Sequence, residues 1–242
     1  MHLFSSDDNE ANTWLLFPLS GKDEPVDPLV RTLVDIGAVV AVDPLKVKDL
    51  PNQALYQAFE EAGTDLAQAL TSKDAIAQKK AAMSPDIAKS IARISSGLYV
   101  VTAAHNNARS AMVASWVSQA SFEPLGLSIA VAKDRAIESL MQVGDSFVLN
   151  CLGEEDYAGT MRHFLKRFAA GADRFEGVET LKLPSGGGSP VLATAIAYME
   201  CKVISRMETP DHWITYCEVI DGNVIRSESR TAVHRRKVGN YY

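Results

Sequence analysis

The sequence predicts a mainly β protein, a closed β-barrel that follows a smaller α/β segment. Short apolar strands with turn residues between them and few helices predict the barrel from Gly97 onward. The charge is uneven, because residues 1–86 hold 14 acidic and 7 basic side chains and the rest hold 16 and 17, giving the net charge of −6. An acidic first third and a balanced remainder indicate two units with different surfaces.

The N-terminal unit, residues 1–70, alternates helical and strand patterns. Apolar residues at helical spacing predict a helix over 29–36, and the apolar run 38–42 predicts a buried parallel strand. A second amphipathic helix follows, whose predicted apolar face consists of Leu55, Phe59, Leu66 and Leu70. Residues 71–86 have a helical composition and are interpreted as a linker helix.

The predicted elements of the third region, residues 87–242, are mostly strands. They cover residues 98–103, 111–117, 125–132, 146–151, 193–206, 212–221 and 223–226. Helices are predicted over 136–143 and 156–169, and a long glycine-rich connection over 170–190.

Composition excludes several classes of protein and partner. The apolar runs are too short to cross a bilayer, so no membrane insertion is predicted, and no signal peptide pattern opens the sequence. Cys151, Cys201 and Cys217 form no close pair, which favours a reduced cytoplasmic setting. No basic stripe exists that could neutralise phosphates along a duplex, so no nucleic acid partner is expected.

A polar cluster is the best candidate for chemistry, because nucleophile elbows, phosphate loops and histidines with metal-ligand spacing are all missing from the sequence. No metal site is therefore predicted. The cluster consists of Ser110, Ser115, Ser118, Gln119 and Ser121, followed by Lys133, Asp134 and Arg135. Hydroxyl groups followed by a basic pair can bind a phosphate, with Arg135 adding charge. The alternative is an ordinary strand on which serine and alanine alternate.

Ordered sequence blocks match a known family in this region. They are residues 99–102, 115–125, 147–152, 174–178, 189–192, 198–203 and 211–214. In this order the blocks resemble the flavin reductase-like domain, an FMN-binding split barrel, over roughly residues 87–242. The resemblance implies FMN as cofactor and NADH or NADPH as the hydride donor, with the hydride chemistry supplied by the cofactor.

The resemblance also implies site residues. The flavin-binding segments of the family correspond to Ala111, Met112, Val113, Ala114, Ser115, Val117, Ser118, Gln119, Lys133, Asp134, Arg135 and Ala136. His212 matches a histidine that the family has near the flavin edge, where it would orient a nicotinamide as the catalytic residue. The alternative for His212 is a structural hydrogen bond at a strand end.

Residues 27–40 and 54–66 resemble the end of a flavodoxin-like domain. A flavodoxin-like segment followed by a flavin reductase-like domain is similar to the C-terminal part of cyanobacterial flavodiiron proteins (diflavin flavoproteins). In that family a diiron domain comes first and reduces oxygen to water. The sequence contains neither that domain nor the early flavodoxin strands, so we expect a trimmed chain or a truncated gene product, whose flavodoxin-like part does not bind FMN.

Two functions and a weaker third follow from these patterns. The first is a flavin reductase module that accepts hydride from NAD(P)H and passes electrons on. The second is a non-catalytic flavin-binding or assembly module of a larger electron-transfer complex, and the third is a barrel that has lost its flavin and only dimerises. The resemblance implies a homodimer, or a heteromer with a related flavodiiron chain.

Overall fold

The computed structural model describes residues 26–36, 52–70, 84–166, 168–183 and 188–236, together with Val42, Leu45, Leu50 and Ser185. The predicted strand over 38–42, apart from Val42, and residues 71–83 of the predicted linker helix lie outside the described residues. The helices are α1 (Val26–Asp35), α2 (Gln53–Leu70), α3 (Pro85–Ile91), α4 (Tyr157–Leu165) and a short 3-10 helix (Ala136–Leu140). None of the described helices is long and apolar enough to cross a membrane.

The strands are β1 (Ser96–Gly97), β2 (Tyr99–His105), β3 (Ala108–Ala114), β4 (Val117–Phe122), β5 (Leu125–Ala132), β6 (Ser146–Leu152), β7 (Thr180–Leu181), β8 (Val191–Leu192), β9 (Ala195–Glu208), β10 (His212–Val224) and β11 (Val233–His234). Seven of them form one antiparallel sheet in the order β3-β2-β6-β9-β10-β5-β4, and β1–β11 and β7–β8 form two small pairs. The mainly β fold predicted from the sequence is confirmed.

The seven-stranded sheet curls on itself. Its two edges, β3 and β4, are joined only by Ser115 and Trp116. Three consecutive Cα–Cα steps span at most about 11 Å, so the edges must lie close together. The curled sheet encloses an apolar core that includes Val101, Ile129, Phe147, Val203 and Cys217.

A second apolar cluster lies between β3 and α4. It includes Val100, Ala111, Phe164, Phe175 and Leu192. Strand β3 contributes side chains to both clusters, because successive residues of a strand point to opposite faces of the sheet.

Three predicted elements differ from the structure. The predicted strand 111–117 is two strands, since the backbone leaves one sheet edge at Ala114 and joins the other at Val117. The predicted helix 136–143 is a single 3-10 helix, which ends where the Asp145 carboxylate accepts a hydrogen bond from the Gln142 N–H (2.9 Å). The predicted separate strand 223–226 is wrong, because β10 continues through two irregularities in its pairing with β9 to Val224.

Helix α2 packs on the barrel through a face that the sequence analysis did not identify. Its buried side chains include Gln57, Ala58 and Glu61, whereas Leu55 and Phe59 are only half-buried. The apolar pattern therefore predicted the wrong centre for the buried face. Gln57 and Glu61 are buried because their side chains bond to the Ala136 carbonyl and the Gly171 N–H, buried or partly buried groups that need partners.

Candidate functional site

The site is built around a contact between Trp116 and His212. Trp116 lies in the link between the two sheet edges, and His212 is the first residue of β10. Their ring centroids are 4.9 Å apart and the ring planes are tilted by 34°. The indole is 37% exposed, so part of it reaches the surface beside His212.

The imidazole of His212 contacts the Trp116 ring and the Asp211 carboxylate. Its Nδ1 lies 2.9 Å from Oδ1 of Asp211, and since a carboxylate only accepts hydrogen bonds, Nδ1 is the protonated nitrogen. The backbone N–H of His212 donates to the Thr209 hydroxyl (3.0 Å), which holds the start of the strand. The hydrogen bond from His212 lowers the pKa of Asp211 below its ordinary value, which keeps this carboxylate ionised. Both the family role and the strand-end hydrogen bond predicted for His212 are compatible with this geometry.

The predicted segment 133–136 begins beside His212. Ala132 pairs with His212 in the sheet, and the Lys133 N–H donates to the Asp211 carbonyl (3.0 Å). The Lys133 ammonium bonds to the Glu208 carboxylate (2.7 Å) and lies 5.3 Å from the ring centroid of Trp213. This lysine is therefore already paired within the chain.

Arg135 and Ala136 continue the segment in different surroundings. The Arg135 side chain is exposed, and its Nε is 3.7 Å from the Asp134 carboxylate. Pairs at such exposure contribute little to stability, which leaves the guanidinium able to exchange partners. Ala136 is buried, and its carbonyl accepts a hydrogen bond from Nε2 of Gln57 in α2 (2.7 Å).

The predicted residues of β3 are mostly used in packing. Ala111 and Val113 contribute to the cluster against α4, while Met112 and Ala114 pack with the barrel core. Ser115 follows them and is buried.

The predicted residues of β4 lie on an edge strand. Val117 packs against the barrel core, whereas Ser118 and Gln119 are exposed. Their side chains bond only locally among the described residues: the Ser118 hydroxyl to the Gln119 carbonyl (3.2 Å), and the Gln119 amide to the Ser121 carbonyl (3.5 Å). Both are available at the surface beside Trp116.

Two residues of the site, Trp116 and Arg236, were not identified from the sequence. Trp116 stands between two predicted binding residues and was visible as an aromatic residue in a matched block. The Arg236 guanidinium lies over the Trp116 ring at 5.6 Å and donates to the Ile91 carbonyl (3.5 Å). Nothing in the sequence around Arg236 indicates this contact, which depends on the pairing of β1 with β11.

Among the described side chains no group of three His, Cys, Asp or Glu residues is arranged to hold a metal ion. The three cysteines are buried and unpaired by disulfides. Burial raises the pKa of the Cys151 thiol to about 11 and that of Cys217 to about 12. Neither thiol has the low pKa and exposure of a reactive cysteine.

Comparison with known proteins finds relatives for both parts of the sequence. A family model described as flavin reductase like domain matches residues 91–241. The chain is 55% identical over 222 residues to diflavin flavoprotein A 1 of Synechocystis sp., which covers 92% of this chain and 38% of that protein. The chain thus spans well under half the length of the curated relatives it matches.

Solved structures share the fold. The NADH:FAD oxidoreductase SgcE6 of Streptomyces globisporus superposes with a TM-score of 0.55 at 24% identity, covering 61% of this chain and 85% of that one. The flavin reductase of the styrene monooxygenase of Pseudomonas putida superposes with a TM-score of 0.51 at 20% identity, covering 62% of this chain and 91% of that one. At these identities the likeness concerns the fold alone.

Proposed function

The chain belongs to the flavin reductase-like domain family, and from this premise we propose that it binds FMN, accepts a hydride from NADH or NADPH and passes the electrons on. The diflavin flavoproteins that it resembles carry a flavin in their name. The oxidoreductase SgcE6 is named for NADH and FAD. These names support a flavin and a nicotinamide, and the choice of FMN over FAD is part of the proposal.

One observation carries the proposal. The contact between Trp116 and His212, together with the bond from the Lys133 N–H to the Asp211 carbonyl, gathers three separately predicted segments at one place. Those segments are residues 111–115 and 117–119, which flank Trp116, residues 133–136, and His212.

The residues at this place suit a flavin nucleotide. A partly exposed indole offers a flat apolar surface, the buried Ser115 can hydrogen-bond, and the exposed Arg135 can pair with a phosphate. When bound, the flavin supplies the ring that accepts the hydride. In our proposal Arg135 neutralises the phosphate and Trp116 excludes water from one side of the flavin. His212 orients the nicotinamide, and Asp211 fixes the imidazole ring of His212.

Titration with three flavins tests the binding part of the proposal. We expect the full chain to bind FMN with one flavin per chain, and FMN more tightly than riboflavin because of its phosphate. FAD serves as the second comparison, since it adds an adenosine that the proposal does not require. Tighter binding of FAD than of FMN would change the assigned cofactor while leaving the flavin site in place.

The hydride step is tested with the variant His212→Ala. We expect flavin affinity to stay within about threefold of the original, while reduction by NADH and NADPH slows by about 10- to 100-fold because the nicotinamide is no longer oriented. Phe122→Leu, at an 88% exposed position on β4, is the control. A chain that binds FMN but is reduced by neither nicotinamide would favour the non-catalytic flavin-binding module instead.

We also propose that the chain works as part of an assembly. The resemblance favours a homodimer, or a heteromer with a related flavodiiron chain, in the cytoplasm. Size determination in solution, with and without FMN, tests the homodimer, and a strictly monomeric chain at all concentrations would reject it.

A further inference from the structure

We propose that Gln57 of helix α2 is a positioning residue for the flavin phosphate, so that the N-terminal region forms part of the flavin site. This inference rests on the proposed function, because it concerns how segment 133–136 is held. It goes beyond the sequence analysis, which assigned flavin binding to residues 87–242 alone.

The Gln57 side chain is inserted between α2 and the 3-10 helix. It is only 4% exposed, although it is polar. Its Nε2 donates to the Ala136 carbonyl (2.7 Å), and its Oε1 accepts from the Ser139 hydroxyl (2.9 Å). Both ends of the amide therefore have a partner on the same short helix, as a buried amide requires.

The two bonds fix the turn that follows Arg135. Arg135 stands at the N-terminal end of the 3-10 helix with an extended backbone, and Ala136 is its first residue. A 3-10 turn has weak internal hydrogen bonds, so contacts from outside decide how rigidly it is held. The Gln57 amide is such a contact. Its partner Ala136 directly follows Arg135, whose guanidinium is proposed to bind phosphate.

Glu61 provides a matched control on the same helix. It is 5% exposed, and its carboxylate accepts from the Gly171 N–H (2.9 Å) and from Nε of Arg174 (3.1 Å). These partners belong to the loop after α4 and not to segment 133–136. Substitution of Glu61 therefore removes contacts between α2 and this loop, and no direct contact with segment 133–136.

The experiment compares Gln57→Met with Glu61→Met in the full chain. Both variants lose a buried polar contact, and we expect both to lower the melting temperature. Only Gln57→Met should change the ratio of FMN to riboflavin affinity, by about tenfold against FMN, because only the phosphate depends on the position of Arg135. The milder variant Ser139→Ala should shift the ratio in the same direction by a smaller factor, and it serves if Gln57→Met does not fold.

The outcomes separate this inference from the function on which it rests. An unchanged ratio in Gln57→Met and Ser139→Ala, or an equal shift in Glu61→Met, would overturn the positioning role while the flavin site stands. A wild-type chain that binds neither FMN nor riboflavin would overturn both.

Discussion

The indole of Trp116 and the imidazole of His212 are in direct contact, with centroids 4.9 Å apart, although they come from distant parts of the sequence. Trp116 belongs to the link that carries the chain from β3 to β4, and His212 opens β10. Aromatic contacts of this kind contribute about 0.5–1.5 kcal/mol beyond the area they bury. The contact joins the β3–β4 link to β10, the strand that carries the predicted catalytic residue.

Trp116→Leu should weaken FMN and riboflavin to the same extent. The substitution removes a flat aromatic surface but no charge, so the loss should be about two- to tenfold for both ligands. Phe122→Leu, a change of the same kind at an exposed position of β4, should leave both affinities unchanged. Fluorescence titration measures the affinities, and a loss confined to FMN would mean that Trp116 does not face the flavin ring.

Arg135→Ala should weaken FMN more than riboflavin. A charge-assisted hydrogen bond to phosphate contributes about 1.5–3 kcal/mol. Riboflavin has no phosphate, so the variant removes no such bond from it. The matched control is Lys202→Ala, which removes an exposed positive charge from β9. Equal weakening of the two ligands would show that Arg135 does not contact the phosphate.

The strands were largely predictable because each depends on local residue order. β5 has the bounds that the sequence predicts, and the predicted strand 146–151 extends by one residue. The break at Ser115 and Trp116 was not predictable, because the run from Ala111 to Val117 contains no glycine or proline, and Ser115 is its single polar residue. Where a strand changes sheet edge depends on the closure of the whole barrel.

The site was predictable only in part for a similar reason. The family resemblance indicated residues 111–115, 117–119 and 133–136 together with His212. In the structure Trp116, which lies between the first two, contacts His212, and the Lys133 N–H bonds to the Asp211 carbonyl. Gln57 and Glu61 were not identified, since polar residues four apart on a helix indicate a solvent-facing side. Their burial depends on carbonyl and amide groups of distant segments, which a local pattern does not reveal.

Asn150→Ala should destabilise the barrel strongly. The buried Asn150 amide donates to the Val100 carbonyl (3.1 Å) and accepts from the Leu192 N–H (2.8 Å), which joins β2, β6 and β8. Loss of these partners should lower the free energy of unfolding by about 2–4 kcal/mol. Urea unfolding measures it, with the exposed Asn223→Ala expected to cost less than about 0.5 kcal/mol. Equal losses in the two variants would contradict the buried network.

The cysteines should resist alkylation in the folded chain at neutral pH and react fully after unfolding. Burial raises the pKa of Cys151 to about 11 from an ordinary value of 9.0. Because the folded pKa is the higher one, the stability contributed by the protonated thiol is complete below pH 9.0 and declines as the pH rises toward 11. Mass spectrometry after iodoacetamide treatment measures the labelling, and rapid reaction of Cys151 in the folded chain would contradict the burial of this thiol.

The most direct test of the flavin reductase proposal is anaerobic reduction of the FMN-loaded full chain. The reduction is monitored by the visible absorbance of the flavin. We expect one FMN per chain, and loss of the flavin absorbance when NADH or NADPH is added, with re-oxidation when an electron acceptor follows. A chain that stays colourless with excess FMN, or bound FMN that neither nicotinamide reduces, would contradict the account.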